Sequence, residues 1–260
     1  MDKVERIFIN PSSPMRIWSS IRWRALALAR ACGYRGNPRL FGVEVPLALV
    51  PSRNVLGQLD ALSYEAKEAR YIQARLPAGA EVLELGASLG IVTSIILGCR
   101  PSRLISYEAV GPLTEVARQV VAHNHPSAPW TLVHCAIAGE GVAEVSFDWS
   151  PAHTQGGSVA AEPAKTHLRV PAESLAAAIA RHQLSTSAWL VMDIEGMEWS
   201  IARQQAAALR HFTGIIVECH DILEGGRIVP HEEVVAELAK AGFDIIARRG
   251  QVSVLLRHAT

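Results

Sequence analysis

Residues 81–90 read EVLELGASLG, and eighteen residues after Gly90 the run LISYE (104–108) ends in Glu108. In the first stretch Leu83 and Leu85 alternate with Glu84, the period-two pattern of a buried strand; Gly86, Ala87, Ser88 and Gly90 then make a turn with almost no side-chain bulk. Backbone can approach a ligand closely at such a turn. LISYE is a second short β-rich run. A carboxylate about 20 residues beyond a glycine turn is where open α/β folds hold the two ribose hydroxyls of an adenosine, so Glu108 is assigned to a ribose. A dinucleotide fingerprint would need glycine at 86, 88 and 91, yet Ser88 and Ile91 stand at the last two. Without that pyrophosphate cradle the turn suits an adenosine that carries no phosphates, and S-adenosylmethionine is the common ligand of that kind.

Downstream of residue 80 strand-like and helix-like segments alternate, a pattern that demands a mostly parallel sheet with helices on both faces. Strands are expected near 81–87, 103–108, 131–137, 188–194 and 214–220, with helices near 89–98, 111–122, 172–183, 197–210 and 230–241. Gly242 stops the last helix. FDIIARRGQVSVLLR (243–257) reads as a closing antiparallel hairpin. The fold expected is therefore α/β: a seven-stranded, doubly wound, Rossmann-like sheet of the class I methyltransferase kind, ending in that hairpin. GVAEVSFDWS (141–150) alternates like an extra strand, and the Pro-, Gly- and Ser-rich stretch after it, to about 168, reads as a mobile loop placed to close over a substrate.

With 260 residues, about half of them apolar, the chain can bury one large core. The division expected is an N-terminal helical extension over 1–60 and a catalytic domain over 61–260. Lys+Arg and Asp+Glu balance at 25 each, so no global field draws the protein to nucleic acid. Cys32, Cys99, Cys135 and Cys219 lack metal-ligand spacing and read as reduced, mostly buried thiols of a cytoplasmic protein. No apolar run approaches the roughly 18 residues of a membrane span, and MDKVERIF is no signal peptide.

From Arg16 to Arg39 there are six arginines and no acids, while Trp18, Ile21, Ala25, Leu28 and Cys32 recur at three- and four-residue intervals. That is a basic amphipathic helix. Two readings stay open: the stripe packs as a lid on the catalytic domain or on a second subunit, giving a homodimer, or residues 16–39 contact the inner face of an anionic membrane peripherally.

AWLVMDIEGMEW (188–199) is a hydrophobic strand ending in Asp193, Glu195 and Glu198 around Gly196, and GIIVECHD (214–221) carries Glu218 and His220 two residues apart. Ligands of open α/β sheets bind at the carboxyl ends of strands, so these groups and Glu108 should open on one crevice. While strand geometry persists, Glu218 and His220 project to one face. Methylating an alcohol requires in-line approach and removal of a hydroxyl proton; His220 is the expected base, with Glu195 or Glu218 orienting it or holding substrate hydroxyls. Glu198 reads equally well as a solvated carboxylate in a helix's first turn. No metal ligands are assigned, although carboxylates at the ends of adjacent strands could instead hold a divalent ion that lowers the pKa of a coordinated hydroxyl.

Together SYEAKEARYI, VLELGASLGIVTSIIL, LISYEAVGPL, VHCAIAGEGVAEVSF, VPAESLAAAIARH, LVMDIEGMEW and IIVECH make the chain resemble the FkbM-type methyltransferases over roughly residues 60–250, DIEGMEW with ECH being the most specific part. The resemblance implies an S-adenosylmethionine-dependent O-methyltransferase acting on a hydroxyl of a sugar, glycan or glycosylated or polyketide metabolite. It also implies Glu84, Gly86, Ala87, Ser88 and Gly90 at the methionine end of the cofactor, Glu108 on the ribose, Ala136 and Ile137 beside the adenine, and Asp193 beside the cofactor and substrate. Tyr64 and Glu65 match the family's YE and would close the site. Ser88 and Leu89 depart from the usual GANIG turn, and Met192 stands where the family often has lysine. Two other classes remain to be weighed, a cofactor-binding partner protein without catalysis and a nicotinamide oxidoreductase; the intact acids oppose the first, and Ser88 with Ile91 opposes the second.

Overall fold

The computed structural model describes residues 14–149 and 167–258. Seven strands form the central sheet: β1 (Glu81–Leu85), β2 (Arg103–Glu108), β3 (Trp130–His134), β4 (Trp189–Met192), β5 (Gly214–Glu218), β6 (Phe243–Arg249) and β7 (Val252–Arg257). They lie in the order β6-β7-β5-β4-β1-β2-β3; β1 to β5 run parallel, and β7 enters antiparallel between β5 and β6. The chain leaves β1 toward β2 on one side and returns to β4 on the other, so the order reverses there and a crevice opens at the strands' carboxyl ends.

Apolar runs buried on both faces build this sheet. Leu83, Leu85, Ile105, Leu190, Ile215 and Val217 pack into one core layer, and Val82, Leu104, Val191 and Ile216 into the other. Around it lie α1 (Pro14–Ala31), α2 (Arg53–Asp60), α3 (Ala66–Arg75), α4 (Ile91–Gly98), α5 (Gly111–Asn124), α6 (Leu175–His182), α7 (Met197–Gln204), α8 (Ala206–Leu209) and α9 (His231–Lys240).

Several boundaries differ from the sequence expectation for local reasons. The strand expected over 131–137 breaks at Cys135: β3 ends at His134, and Ala136–Ile137 turns away to pair with His167–Glu173. The alternating stretch at 141–150 contains the strand Glu144–Asp148, which joins the same small sheet. The helix expected from 172 starts at Leu175, because Ser174 caps it by accepting from the Ala177 N–H. The helix over 197–210 divides at Gln205 into α7 and α8. Most of the loop expected to close over substrate lies outside the described residues.

Gln205 is buried, and its side chain accepts from the Leu175 N–H at 2.7 Å and donates to the Ala138 carbonyl at 2.9 Å. It thereby ties the strand after β3 to α6. Gln205→Leu strands one buried donor and one buried acceptor at about 1–3 kcal/mol each. Urea unfolding is expected to show stability lowered by about 2 kcal/mol or more with unchanged slope; a midpoint equal to wild type would remove this role.

The N-terminal helix forms, and among its described side chains, which begin at Arg22, the expected stripe is not the face turned to the domain. Arg22, Leu26, Ala29 and Arg30 are partly buried, whereas Ala25, Leu28 and Cys32 of the expected packing stripe are exposed, with Trp23 beside them. A buried ion pair turns it: Arg30 Nε lies 2.5 Å from Asp60 Oδ2 of α2, and its guanidinium also donates to the Gly36 carbonyl at 3.2 Å. A paired guanidinium with an apolar stem is favourably half-buried. Among the described residues no helix is long and apolar enough to cross a membrane.

Candidate functional site

A cleft opens at the carboxyl ends of β1, β2 and β4. It is lined by Gly86, Ala87 and Ser88 of the turn after β1, by Tyr107 and Glu108 of β2, by Ala136 and Ile137, by Asp193 and Glu195 after β4, and by Tyr64 and Glu65 before α3. Thus nine residues expected at the cofactor from sequence (Tyr64, Glu65, Gly86, Ala87, Ser88, Glu108, Ala136, Ile137 and Asp193) line one cavity.

The turn is held between its neighbours. Gly86 N and Ala87 N both donate to the Tyr107 carbonyl, at 2.9 and 3.1 Å, and Asp193 N donates to the Leu85 carbonyl at 2.9 Å. Gly86 has φ +92°, and a Cβ there would overlap the Asp193 carbonyl oxygen, so both conformation and space demand glycine. Ser88, also left-handed at φ +46°, turns its N–H onto Glu108 Oε2 at 2.7 Å, while Val110 N donates to Oε1 at 2.7 Å. The acid after β2 therefore clasps the turn after β1 directly. Burial pushes the Glu108 carboxyl up, against the backbone N–H groups of Val110, Ser88 and Ala109. The buried Tyr64 phenol lies beside the turn from the α3 side, and burial pushes its pKa up, with the Ser88 side chain opposing.

Glu84 and Gly90 stand behind the cleft and not on its wall. Glu84 is buried; it accepts from Thr93 Oγ1 at 2.8 Å and from Ser106 Oγ, which in turn accepts from the Trp130 indole at 2.8 Å. Burial raises its carboxyl to about 7, with the Ser106 and Thr93 hydroxyls holding it down. These contacts pin α4 to β1 and β2. At Gly90 a Cβ would meet the Ala117 backbone at 2.7 Å, so this glycine permits the close approach of α4 and α5.

The acids after β4 gather around one imidazole. His220 Nδ1 lies 3.4 Å from Glu198 Oε1, and Nε2 lies 3.4 Å from Glu195 Oε2 and 3.8 Å from Asp193 Oδ1. Burial lowers the His220 pKa, but the hydrogen bond and charge of Glu198, with Asp193 and Glu195, outweigh it and raise it to about 9. Burial also pushes Asp193 well above the usual carboxylate range, reinforced by Glu65 and opposed by His220. His220 does not line the cleft; Asp193 and Glu195 connect it to the wall. Because β5 stops at Glu218, the alternation that would place Glu218 and His220 on one face ends there, and Glu218 is not a partner of His220.

Glu198 is not a solvated first-turn carboxylate. It is fully buried, and it accepts from Ile194 N at 2.9 Å and Gly196 N at 2.8 Å while facing His220. Its carboxylate caps its own helix from within, so it both forms the turn after β4 and orients the ring. The sequence carried a signal: Glu198 precedes buried Ile201 and Ala202 by three and four residues, on the inward stripe of α7. Glu68 was missed for the same reason. It lines the cleft, is buried, and stands four residues before buried Ile72 on α3. Trp149, also in the lining, has an enclosed indole nitrogen without a partner.

Residues 80–245 match the model of the methyltransferase FkbM domain. No curated protein matches the chain. Methyltransferase FkbM from Methylobacillus flagellatus KT is a similar solved structure, at 12% identity and TM-score 0.48, over 95% of this chain and 63% of its own. Magnesium protoporphyrin IX methyltransferase from Synechocystis PCC 6803, solved with S-adenosylmethionine bound, is similar at 11% identity and TM-score 0.45, over 96% of this chain and 100% of its own. Ribosomal protein L11 methylase from Lactobacillus delbrueckii subsp. bulgaricus is similar at 10% identity and TM-score 0.42, over 75% of this chain and 80% of its own. With the domain match spanning more than half of its length, the chain belongs to the FkbM family of S-adenosylmethionine-dependent methyltransferases.

Proposed function

We propose that this methyltransferase acts on a hydroxyl of a sugar, a glycan or a glycosylated or polyketide metabolite. The residues present fit the donor: the Gly86 cradle admits no Cβ, Glu108 is fixed by two N–H groups, and Glu68 Oε2 and Trp149 Nε1 are enclosed polar atoms lacking hydrogen-bond partners at the cavity. When bound, S-adenosylmethionine supplies an electrophilic methyl carbon on a cationic sulfur. Gly86, Ala87 and Ser88 would hold its methionine end, with Tyr64 and Glu65 closing that side; Glu108 would accept from the ribose hydroxyls, and Ala136 and Ile137 would flank the adenine. Glu84 and Gly90 serve the same site from behind by holding α4 in place.

The observation that carries hydroxyl chemistry is the setting of His220, whose two ring nitrogens each face carboxylates next to the cleft. Glu198 holds Nδ1, which turns Nε2 toward Asp193 and Glu195; an acceptor hydroxyl placed there gives its proton to Nε2. A positioned base of this kind contributes about 10²- to 10⁴-fold. Glu195 reaches over the mouth toward the acceptor's hydroxyls, and Glu218 adds negative field behind Asp193. Incubation with methyl-labelled donor and parallel pools of monosaccharide glycosides, glycans, polyketide glycosides, RNA and protein tests the reading. Label is expected in carbohydrate ethers that survive alkali; label confined to RNA or protein would overturn it.

A further inference from the structure

We propose that the outward face of α1 is a docking surface for an anionic lipid bilayer, with the helix lying in the plane of the headgroups. Arg22, Leu26, Ala29 and Arg30 are the partly buried side of α1, held there by the Arg30–Asp60 pair. With 3.6 residues per turn, the opposite side carries Trp23, Ala27 and Ala31 in one row and Arg24 with Leu28 in the next. All five are exposed. Four of them are apolar, the reverse of the pattern that water favours on the outside of a surface helix. Of the seven large apolar side chains exposed among the described residues, Trp23, Leu28 and Tyr34 fall within twelve residues, so the exposure is concentrated here. A cluster of this kind, unlike single scattered residues, marks a surface that something covers.

Charge identifies what covers it. Residues 16–39 hold six arginines and no acid, in a chain whose formal net charge is zero. Asp60 neutralises Arg30, and Glu44 neutralises Arg39. Among the described residues no carboxylate pairs with Arg22, Arg24 or Arg35; Arg22 donates to the Arg39 carbonyl and Arg35 to the Tyr34 carbonyl, both at the surface. Three uncompensated cations therefore accompany the apolar rows. An anionic bilayer satisfies both features at once: indole and leucine enter the acyl boundary, while arginine stems lie along the apolar surface and their guanidinium groups reach phosphates. No helix among the described residues is long and apolar enough to cross a membrane, so the contact is made in the plane.

Other occupants fit less well. A second copy docked through this face would set the same arginines of both chains against one another, with no acid between them. A nucleic acid would satisfy the cations and leave Leu28 and the alanine row in water.

Flotation of the full-length protein tests the proposal, with vesicles of phosphatidylcholine alone and of an equal mixture of phosphatidylcholine and phosphatidylglycerol, each at low and at high salt. The wild type is expected to bind the mixed vesicles at least about tenfold tighter than the neutral ones at low salt, and to lose most of that preference at high salt. Arg24→Glu and Leu28→Glu should each weaken binding to mixed vesicles by about tenfold or more. Leu28→Ser, which changes no charge, should weaken it severalfold at both salt levels. All three side chains are replaced at exposed positions, so the thermal unfolding midpoint should stay at its wild-type value and shows that the variants are folded. Absence of flotation with mixed vesicles would overturn the proposal, as would equal binding by wild type and Leu28→Glu. A dimer in sedimentation velocity that Leu28→Glu dissociates would assign the face to a second copy instead. RNA binding that Arg24→Glu abolishes, in a protein that does not float, would assign its charge to nucleic acid.

Discussion

Replacing Glu108 by alanine is expected to weaken S-adenosylhomocysteine binding by about 100-fold or more, read by calorimetry at neutral pH. Two charge-assisted bonds to ribose hydroxyls are worth about 1.5–3 kcal/mol each, and each 1.4 kcal/mol is tenfold in affinity. The same carboxylate also accepts the Ser88 and Val110 N–H groups at 2.7 Å, so its removal leaves two backbone donors unpaired and loosens the turn. Glutamine is a poor substitute. Since each oxygen already receives a backbone N–H, one end of the amide must point a donor at a donor, and Glu108→Gln should lie between wild type and alanine. Wild-type affinity in Glu108→Ala would show that this acid does not hold the ribose.

What could be read in the chain were those features whose cause is local. A strand of alternating apolar residues, a turn without side chains and an acid at the end of the next strand stand close in sequence, and the Ser88 N–H on Glu108 joins them in space. The seven-stranded sheet with its closing hairpin follows from alternation and a glycine turn, and the sheet has that form. Features set by packing were not legible. Whether α1 turns Leu28 or Arg30 inward depends on Asp60, thirty residues away, and the ion pair outweighs the apolar stripe. The break at Cys135 depends on His167–Glu173 offering an edge to Ala136 and Ile137. Glu68, Glu84 and Glu198 share one pattern, an acid on the inward face of its own element, where periodicity would place an aliphatic residue. Such positions are costly unless the acid accepts hydrogen bonds. Glu198 does so through both oxygens, whereas Glu84 accepts through one oxygen and keeps the other unpaired, as Glu68 does with its Oε2.

His220→Gln is expected to lower turnover by about 10²- to 10⁴-fold while leaving S-adenosylhomocysteine affinity within about twofold of wild type, the signature of a base outside the donor's own contacts. The pH dependence gives an independent check. Only the neutral ring can take a proton; with His220 raised to about 9 by its carboxylate neighbours, that form is the minor one at neutral pH. For the wild type, log kcat/KM should therefore climb with unit slope as pH rises and level off near 9, reporting the free enzyme. The profile of kcat should break at lower pH, because a bound sulfonium repels the imidazolium and favours the neutral ring. In His220→Gln both breaks should vanish, leaving a low, flat rate. Glu198 supplies the largest upward contribution to His220. Removing its charge should thus move the wild-type break downward and misorient Nε2 at the same time, so Glu198→Gln gains neutral imidazole at pH 7 and yet turns over more slowly. A rate that rises in this variant would mean that ring orientation matters less than the population of base; a His220→Gln enzyme with wild-type turnover would place proton removal on another group.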